Sequence, residues 1–401
     1  MNAPTVALCV TGSIAAYKAA EVARGLVAAG VRVIPVMTRG AREFLGPATL
    51  SGLTGEAVVH DMWDASVPGE QHVAIAKQAS AVVIAPATAD VLARLASGRA
   101  DDLVTAIALL SHGRVVVAPA MHPAMWSHPA TQRNVDVLVG DRVRFVGPVD
   151  GPVASGEVGM GRMADPSWIV AAALAAATPP DLAGKRLLIS AGPTVEDLDP
   201  VRFLSNRSSG KMGFALAVRA AARGAAVRLV TGPVALPTPW GVRRVDVRSA
   251  LELQEALGRG LADGCDALLM SAAVSDYRPA ERAKTKQKKA PGEATRGIEL
   301  TLNPDVLAEI GRDRRGRRPV LVGFAVETDT DEKIVKYAQK KLREKGVDLV
   351  VANHATDAFG RDENRATLVT KNGAEPLDEM PKDALADRIL DRVRDLLEGT
   401  Q

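Results

Sequence analysis

The sequence predicts two doubly wound α/β domains, each built on a mostly parallel sheet. Short Val/Ile/Leu runs alternate with helix-period segments, and near-continuous apolar strands of this kind are covered by helices on both faces. The alternation lapses at Thr178-Pro-Pro-Asp181 and then restarts, which marks a linker. Aromatic residues make up only 3% of the chain, so the cores must be built from Ala, Val, Leu and Ile. Such small side chains suit close helix–sheet contact. A length of 401 residues leaves room for two or three domains of roughly 150 residues, and the break divides them as 1–180 and 181–401.

In the first half, Val6–Val10 reads as a strand and Ile14–Ala29 as an Ala-rich helix closed by Gly30. Val31–Met37 is a second strand. Strand Ala81–Ala85, helix Asp90–Ala96 and strand Arg114–Ala118 follow, and the Ala-rich helix Val170–Ala177 ends the domain. In the second half, strand Arg186–Ser190 leads to helix Lys211–Arg223, where Met212, Leu216 and Ala220 recur at helical spacing. Strand Ala226–Thr231, helix Ser249–Leu261 and strand Ala267–Ala272 come next. Helix Asp305–Arg312, strand Val320–Ala325, helix Thr330–Lys345 and strand Asp348–Ala352 continue the pattern. A last strand, Ala366–Thr370, precedes a terminal helix from about Lys382.

The net charge of +3 is nearly balanced, which argues against nucleic acid as the principal partner. Cys9 and Cys265 lie in or beside apolar stretches and read as core residues. Their scarcity offers no disulfide framework and fits a reducing cytoplasm. The N-terminus lacks a basic region followed by an apolar core, and no apolar run reaches bilayer length. The expectation is a soluble, cytoplasmic protein without a membrane partner.

Two strand-to-helix turns rich in glycine and hydroxyls present free backbone N–H groups to an anion. The first is Thr11-Gly-Ser-Ile14. The second is Ser190-Ala-Gly-Pro-Thr194, followed by Ser205-Asn-Arg-Ser-Ser-Gly-Lys-Met-Gly213. In the second half, polar groups also gather at later strand ends, where open α/β sheets bind ligands. These are Ala272-Ala-Val-Ser-Asp276, Asn303-Pro-Asp305 and Gly323-Phe-Ala-Val-Glu327. Lys341 and Lys345 share a helical face and can neutralise a triphosphate. Each group has a plainer role by itself: Asp305 as a helix cap, the lysines as solvated charges. The lysine-rich run between Tyr277 and Lys289 reads as a solvated loop or as a flap over a phosphorylated ligand.

The second half closely resembles the phosphopantothenoylcysteine synthetase family. The match runs through Ala191-Gly-Pro-Thr194, Asp199-Pro-Val-Arg202, the Ser205–Gly213 run and Ala272-Ala-Val-Ser-Asp-Tyr-Arg-Pro279. The resemblance implies a Rossmann-like ligase domain that activates 4′-phosphopantothenate with CTP as an acyl-cytidylate, with Mg²⁺, before cysteine displaces CMP. It assigns CTP binding to Asp276, Lys286, Asn303, Pro304, Asp305, Phe324, Lys341 and Lys345. Asn206 would stabilise and turn over the acyl-cytidylate, and Arg202 would anchor the phosphorylated substrate.

In the first half, Thr11-Gly-Ser-Ile14, Ala85-Pro-Ala-Thr-Ala-Asp90 and Pro119-Ala-Met-His-Pro-Ala-Met-Trp126 resemble the flavin-dependent cysteine decarboxylases. The implied domain is flavodoxin-like and holds FMN through Gly12, Ser13, Ile14, Thr38, Ala85, Thr88 and Met121. Met121, Met125 and Trp126 alone read either as core or as an apolar wall for a flat ring. His72 falls at the family's active-site histidine. The resemblance also implies a homo-oligomer, trimeric through the flavin domain with dimer contacts through the ligase domain.

Three positions depart from that family. His122 replaces the asparagine that holds the substrate carboxylate. Ser155 replaces the proton-donating cysteine, and Asp101 replaces an asparagine near the flavin. Two outcomes follow from these departures. The decarboxylase works with another proton donor, such as water or His122, or an active ligase is fused to a silent or altered flavin domain. The expected metal ligands stay unassigned.

Overall fold

A computed structural model describes residues 4–64, 66, 69–288, 297–327, 331–354 and 363–399. The chain folds as two compact units, Met1–Pro179 and Pro180–Gln401.

The first unit is wound on strands β1 (Thr5–Val10), β2 (Arg32–Met37), β3 (Ala81–Ala87), β4 (Val115–Pro119) and β5 (Arg144–Phe145), in the order β2-β1-β3-β4-β5. All the pairings are parallel. β3 is buried along its whole length, as the unbroken apolar run requires. The expected helix 14–29 begins as a 3₁₀ turn, Ile14–Lys18, capped by Ser13, and becomes α-helical over Ala19–Ala28. Its Val22, Ala23 and Leu26 face inward. A Cβ at Gly25 would meet Val170 Cγ2 at 2.8 Å, so Gly25 lets this helix approach the helix Pro166–Ala177 closely. That second helix starts before Val170 because Asp165 caps it and Pro166 occupies its first turn. An antiparallel hairpin of β6 (Val149–Pro152) and β7 (Val158–Arg162) was not expected from the sequence.

The second unit begins with β8 (Arg186–Ala191), β9 (Val195–Asp197), β10 (Phe203–Ser205), β11 (Ala226–Thr231) and β12 (Val242–Asp246). It continues with β13 (Ala267–Met270), β14 (Tyr277–Pro279), β15 (Leu300–Leu302), β16 (Val320–Glu327), β17 (Leu349–His354), β18 (Glu363–Thr370) and β19 (Gly373–Pro381). Eight of these form one sheet in the order β12-β11-β8-β13-β16-β17-β18-β19. It is parallel as far as β17 and antiparallel thereafter. Helices Lys211–Ala222 and Lys382–Glu398 cover one face. Helices Ala250–Ala262, Val306–Asp313 and Asp331–Glu344 cover the other.

Arg223 joins the start of this unit to its last helix. It meets Asp181 at 2.6 Å and Asp391 at 2.8 Å, with its own side chain only 5% exposed. The carboxylates are about a third exposed, so the effect lies between a surface pair and a sealed one. Arg223→Ala should cost roughly 2 kcal/mol, read as a lower midpoint in urea unfolding of the second unit.

Candidate active sites

In each unit a cavity lies at the carboxyl end of the parallel strands, at the point where the strand order reverses. Open α/β sheets bind ligands at such a crevice. In the first unit that point lies between β1 and β3. A cavity of about 760 Å³ opens there, and Gly12, Ser13, Thr38, Thr88 and Met121 line it. Thr11 Oγ1 donates to Pro86 O at 2.6 Å and ties the two strand ends together. The hydroxyls also cap: Ser13 accepts from Ala15 N, Thr38 from Ala41 N and Thr88 from Val91 N. A Cβ at Gly12 would meet Gly40 C at 3.0 Å, so the turns after β1 and β2 nearly touch.

Ile14 and Ala85 do not line this cavity. Ile14 is exposed, and Ala85 is fully buried within β3. Met125 joins Met121 on the cavity wall, whereas Trp126 packs against the unit's core.

Asp101 also lines the cavity, with Arg94 and Arg99, which sequence reasoning had not singled out. It accepts from Arg94 at 3.3 Å and Arg99 at 2.5 Å. Desolvation pushes its carboxyl up, but the Arg94 hydrogen bond and the Arg99 charge outweigh that and hold it below the ordinary range. Asp101 therefore neutralises two cations at the cavity rim.

His72, His122 and Ser155 stand outside the lining. His72 is half-buried on the helix Gln71–Gln78, and Ser155 is exposed at the tip of the β6–β7 hairpin. His122 Nδ1 accepts from Ala124 N at 3.2 Å, which leaves the ring proton on Nε2. That nitrogen meets Glu157 on the hairpin at 2.6 Å. Neither cysteine replaces Ser155. Burial, then the Asp102 charge, pushes the Cys9 thiol far up, and Cys265 is pushed up to about 11, chiefly by burial.

In the second unit the reversal lies between β8 and β13. A cavity of about 860 Å³ opens there. Asn206, Asp276, Asn303, Pro304, Asp305, Phe324, Lys341 and Lys345 all line it. Asn206 Nδ2 donates to Val274 O at 3.0 Å, with a longer contact of 3.4 Å to Ala273 O. Asn303 Nδ2 donates to Ser275 O at 2.8 Å. Asp305 caps its helix through Ala308 N and pairs with Lys345 at 2.9 Å. Its carboxyl is raised by desolvation but lowered more by Lys345 and the cap. The capping role and the cavity role thus belong to the same side chain. Lys341 donates to Phe324 O.

Arg202 and Lys286 do not line this cavity. Arg202 is committed to Asp199 through Nε at 3.0 Å and Nη2 at 2.6 Å, and it also donates to Gln287 O at 2.6 Å. Gln287 N in turn donates to Asp199 at 3.2 Å. The segment carrying Lys286 is therefore docked on the β9–β10 hairpin as far as residue 288, and Lys289 lies outside the described residues.

The turn after β8 is held by close backbone packing. A Cβ at Gly232 would fall 1.7 Å from Pro193 O, and Thr194 Oγ1 accepts from Ser275 N at 3.0 Å. Gly232→Ala should push this turn off the 272–276 loop at a cost of about 1–3 kcal/mol. Ligation should fall while FMN absorbance is retained.

Sequence reasoning missed Asn353, Asn364 and Lys382, which also line the cavity. Polar residues at the ends of Val/Ala runs were the available signal. No group of three or more His, Cys, Asp or Glu among the described residues forms a metal cage.

Residues 1–178 match the Flavoprotein family model, and residues 182–397 match the model of the DNA/pantothenate metabolism flavoprotein C-terminal domain. The Coenzyme A biosynthesis bifunctional protein CoaBC of Vibrio cholerae is 43% identical, over 96% of each chain. Its Mycobacterium tuberculosis counterpart is 45% identical, over 97% of this chain and 96% of its own. The chain belongs to this family. A solved C-terminal domain of a CoaBC protein is 39% identical, covering 55% of this chain and 99% of its own, with a TM-score of 0.47.

Family membership makes the chain a bifunctional enzyme of coenzyme A biosynthesis, a flavoprotein with ligase and decarboxylase activities that uses FMN and CTP. No helix among the described residues is long and apolar enough to cross a membrane.

Proposed function

We propose that residues 181–401 ligate cysteine to 4′-phosphopantothenate and that residues 1–180 decarboxylate the product to 4′-phosphopantetheine. The observation that carries the ligase reading is the convergence of Asn206, Asp276, Asp305, Phe324, Lys341 and Lys345 on one cavity. A carboxylate is a poor electrophile, so it must first be activated. Its oxygen attacks the α-phosphorus of CTP, the bond to pyrophosphate breaks, and an acyl-cytidylate forms. The amine of cysteine then attacks the acyl carbon, loses a proton and expels CMP.

Lys341 and Lys345 offset the nucleotide's charge, Phe324 supplies an apolar face, and Asp276 orients the ribose or its phosphates. Asn206 donates to the charge that develops on the acyl oxygen, as fixed donors do best in a water-poor site. Mg²⁺ fits as an ion carried by the triphosphate, because it keeps several waters and needs only one or two protein carboxylates. Arg202, on the β9–β10 hairpin, and Lys286, on the segment docked against that hairpin, would meet the phosphorylated substrate and CTP respectively.

The first cavity suits FMN, since it opens where the strand order reverses and is lined by Gly12, Gly40 and the hydroxyl residues Ser13, Thr38 and Thr88. Bound FMN supplies the redox couple that oxidises the thiol-bearing carbon and later returns the electrons. The turn at Gly12 and Ser13 holds the phosphate with Thr38 and Thr88, while Met121 and Met125 give the ring an apolar wall. His122, once its Nε2–H leaves the Glu157 carboxylate it meets at 2.6 Å, donates to the substrate carboxylate in place of an asparagine. His72 completes the site from a neighbouring subunit. Exposed Ile14, Tyr17 and Trp63 in the first unit and Val201, Phe203 and Leu302 in the second support a homo-oligomer, trimeric through the former and dimeric through the latter. The enzyme works in the cytoplasm on small-molecule substrates.

Pyrophosphate release tests the ligase reading. It should require CTP and 4′-phosphopantothenate together, and release with CTP alone would contradict the proposed activation.

A further inference from the structure

The β6–β7 hairpin of the first unit lies on the loop that follows β4, next to the cavity wall. Met121, which lines the cavity, donates its backbone N–H to Gly161 O at 3.0 Å. A Cβ at Gly161 would fall 2.4 Å from Met121 O, and one at Gly159 would meet Pro123 at 3.1 Å. These alternate positions share a strand face, and their bare backbone lets β7 sit close against residues 121–123. Beyond Gly159 the chain forms the hairpin tip. There Val153 N donates to Glu157 O and Gly156 N donates to Val153 O, both at 2.9 Å. Ser155 is carried by this turn.

A side-chain contact ties the tip to the same loop. His122 Nδ1 accepts from Ala124 N at 3.2 Å, so the ring proton is on Nε2. That N–H donates to the Glu157 carboxylate at 2.6 Å. A hydrogen bond with an ionised partner is short and strong for its kind. Yet the His122 and Glu157 side chains are 34% and 61% exposed, and exposed carboxylate contacts add little net free energy. The contact is well formed and easily exchanged. A carboxylate of the protein thus already occupies the donor assigned to the substrate carboxylate, one residue from Met121.

We propose that Glu157 is a specificity-determining residue of the decarboxylase, holding His122 Nε2–H until a substrate carboxylate takes its place. The proposal rests on the reading that His122 binds that carboxylate. The ring has one N–H to give, because Nδ1 is taken as an acceptor. Two carboxylates at one donor repel each other, so the substrate displaces Glu157 and releases the tip that carries Ser155. Loss of carbon dioxide removes the group that kept Glu157 away, and Glu157 returns to His122. Substrate and product differ by that one group, so the exchange admits the first and helps expel the second.

The test uses the full-length, FMN-loaded protein and two unreactive probes. 4′-Phosphopantothenoylserine keeps the carboxylate and carries a hydroxyl in place of the thiol. 4′-Phosphopantothenoylethanolamine is the same molecule without the carboxylate. Calorimetry should show that Glu157→Ala tightens the serine probe about 2–5-fold, the span of an exposed ion pair, and leaves the ethanolamine probe unchanged. Amide hydrogen exchange over 153–157 in the unaltered protein should rise with the serine probe alone. Glu157 is exposed, so the substitution leaves the core intact. Unchanged or weaker binding of the serine probe to Glu157→Ala would overturn the proposal, as would an equal shift for both probes or equal exchange at the tip. In the Glu157→Ala background, His122→Ala should weaken the serine probe. No loss there would instead defeat the underlying reading of His122.

Discussion

Asn206→Ala should lower the rate of ligation by about 10²–10³-fold while leaving CTP affinity nearly unchanged. The expectation follows from what the side chain touches. Asn206 sits on the cavity lining just after β10, and one N–H of its amide is anchored on Val274 O at 3.0 Å, while the 3.4 Å contact to Ala273 O is weak and leaves the second N–H for the acyl oxygen. A donor fixed in that way loses little freedom when the acyl oxygen gains charge. The proposed nucleotide contacts are Asp305, Phe324, Lys341 and Lys345, which line the same cavity, so binding should not depend on this amide. Single-turnover ligation and equilibrium CTP binding separate the two effects. A large loss of CTP affinity would reassign Asn206 to holding the 272–276 loop in place.

Ser155→Cys should raise decarboxylation at neutral pH by about 10-fold or more, within the usual range for a positioned general acid. A thiol with a pKa of ~8.5 is largely protonated at pH 7 and can give its proton to the enethiolate. A serine hydroxyl is a far weaker acid. The sign of the pH dependence follows: the cysteine variant should lose its advantage as pH rises through the thiol pKa, a limb the unaltered enzyme lacks. Ser155 is exposed at the hairpin tip, so the substitution leaves the core untouched. If the variant gains nothing at any pH, protons reach the substrate by a route independent of this position, such as His122 or water.

Much of the fold was legible because apolar runs state their own burial. The interior strands Ala226–Thr231 and Val320–Glu327 are rich in Val, Leu and Ala, and they pair in parallel as the pattern requires. The edge strands were not legible. Val242-Arg-Arg-Val-Asp246 carries three charges because only one of its edges is paired. Gly373–Pro381 holds two prolines, which edge strands tolerate because their outer N–H groups need no partner. The three-residue strands β9, β10, β14 and β15 are too short to show a period. Helix Leu103–Leu110 is apolar nearly throughout and is buried on most sides, so it gave no amphipathic signal.

Site residues divided in the same way. Those carried by turns after strands, such as Gly12, Ser13, Asn206 and Asp276, could be placed on a sheet edge from the sequence. Asn353 and Asn364 could not, because they are brought together only by the antiparallel pairing of β17 with β18. The Arg94–Asp101–Arg99 cluster depends likewise on loop geometry. Arg202 does not line the cavity, and its tie to Asp199 and Gln287 depends on a docked loop that no local pattern encodes.

The most direct measurement incubates the purified protein with 4′-phosphopantothenate, cysteine, CTP and Mg²⁺ and identifies the products by mass spectrometry. 4′-Phosphopantetheine should form, and only when CTP is present. Accumulation of 4′-phosphopantothenoylcysteine with no 4′-phosphopantetheine would contradict the decarboxylase half, and absence of both products would contradict the whole.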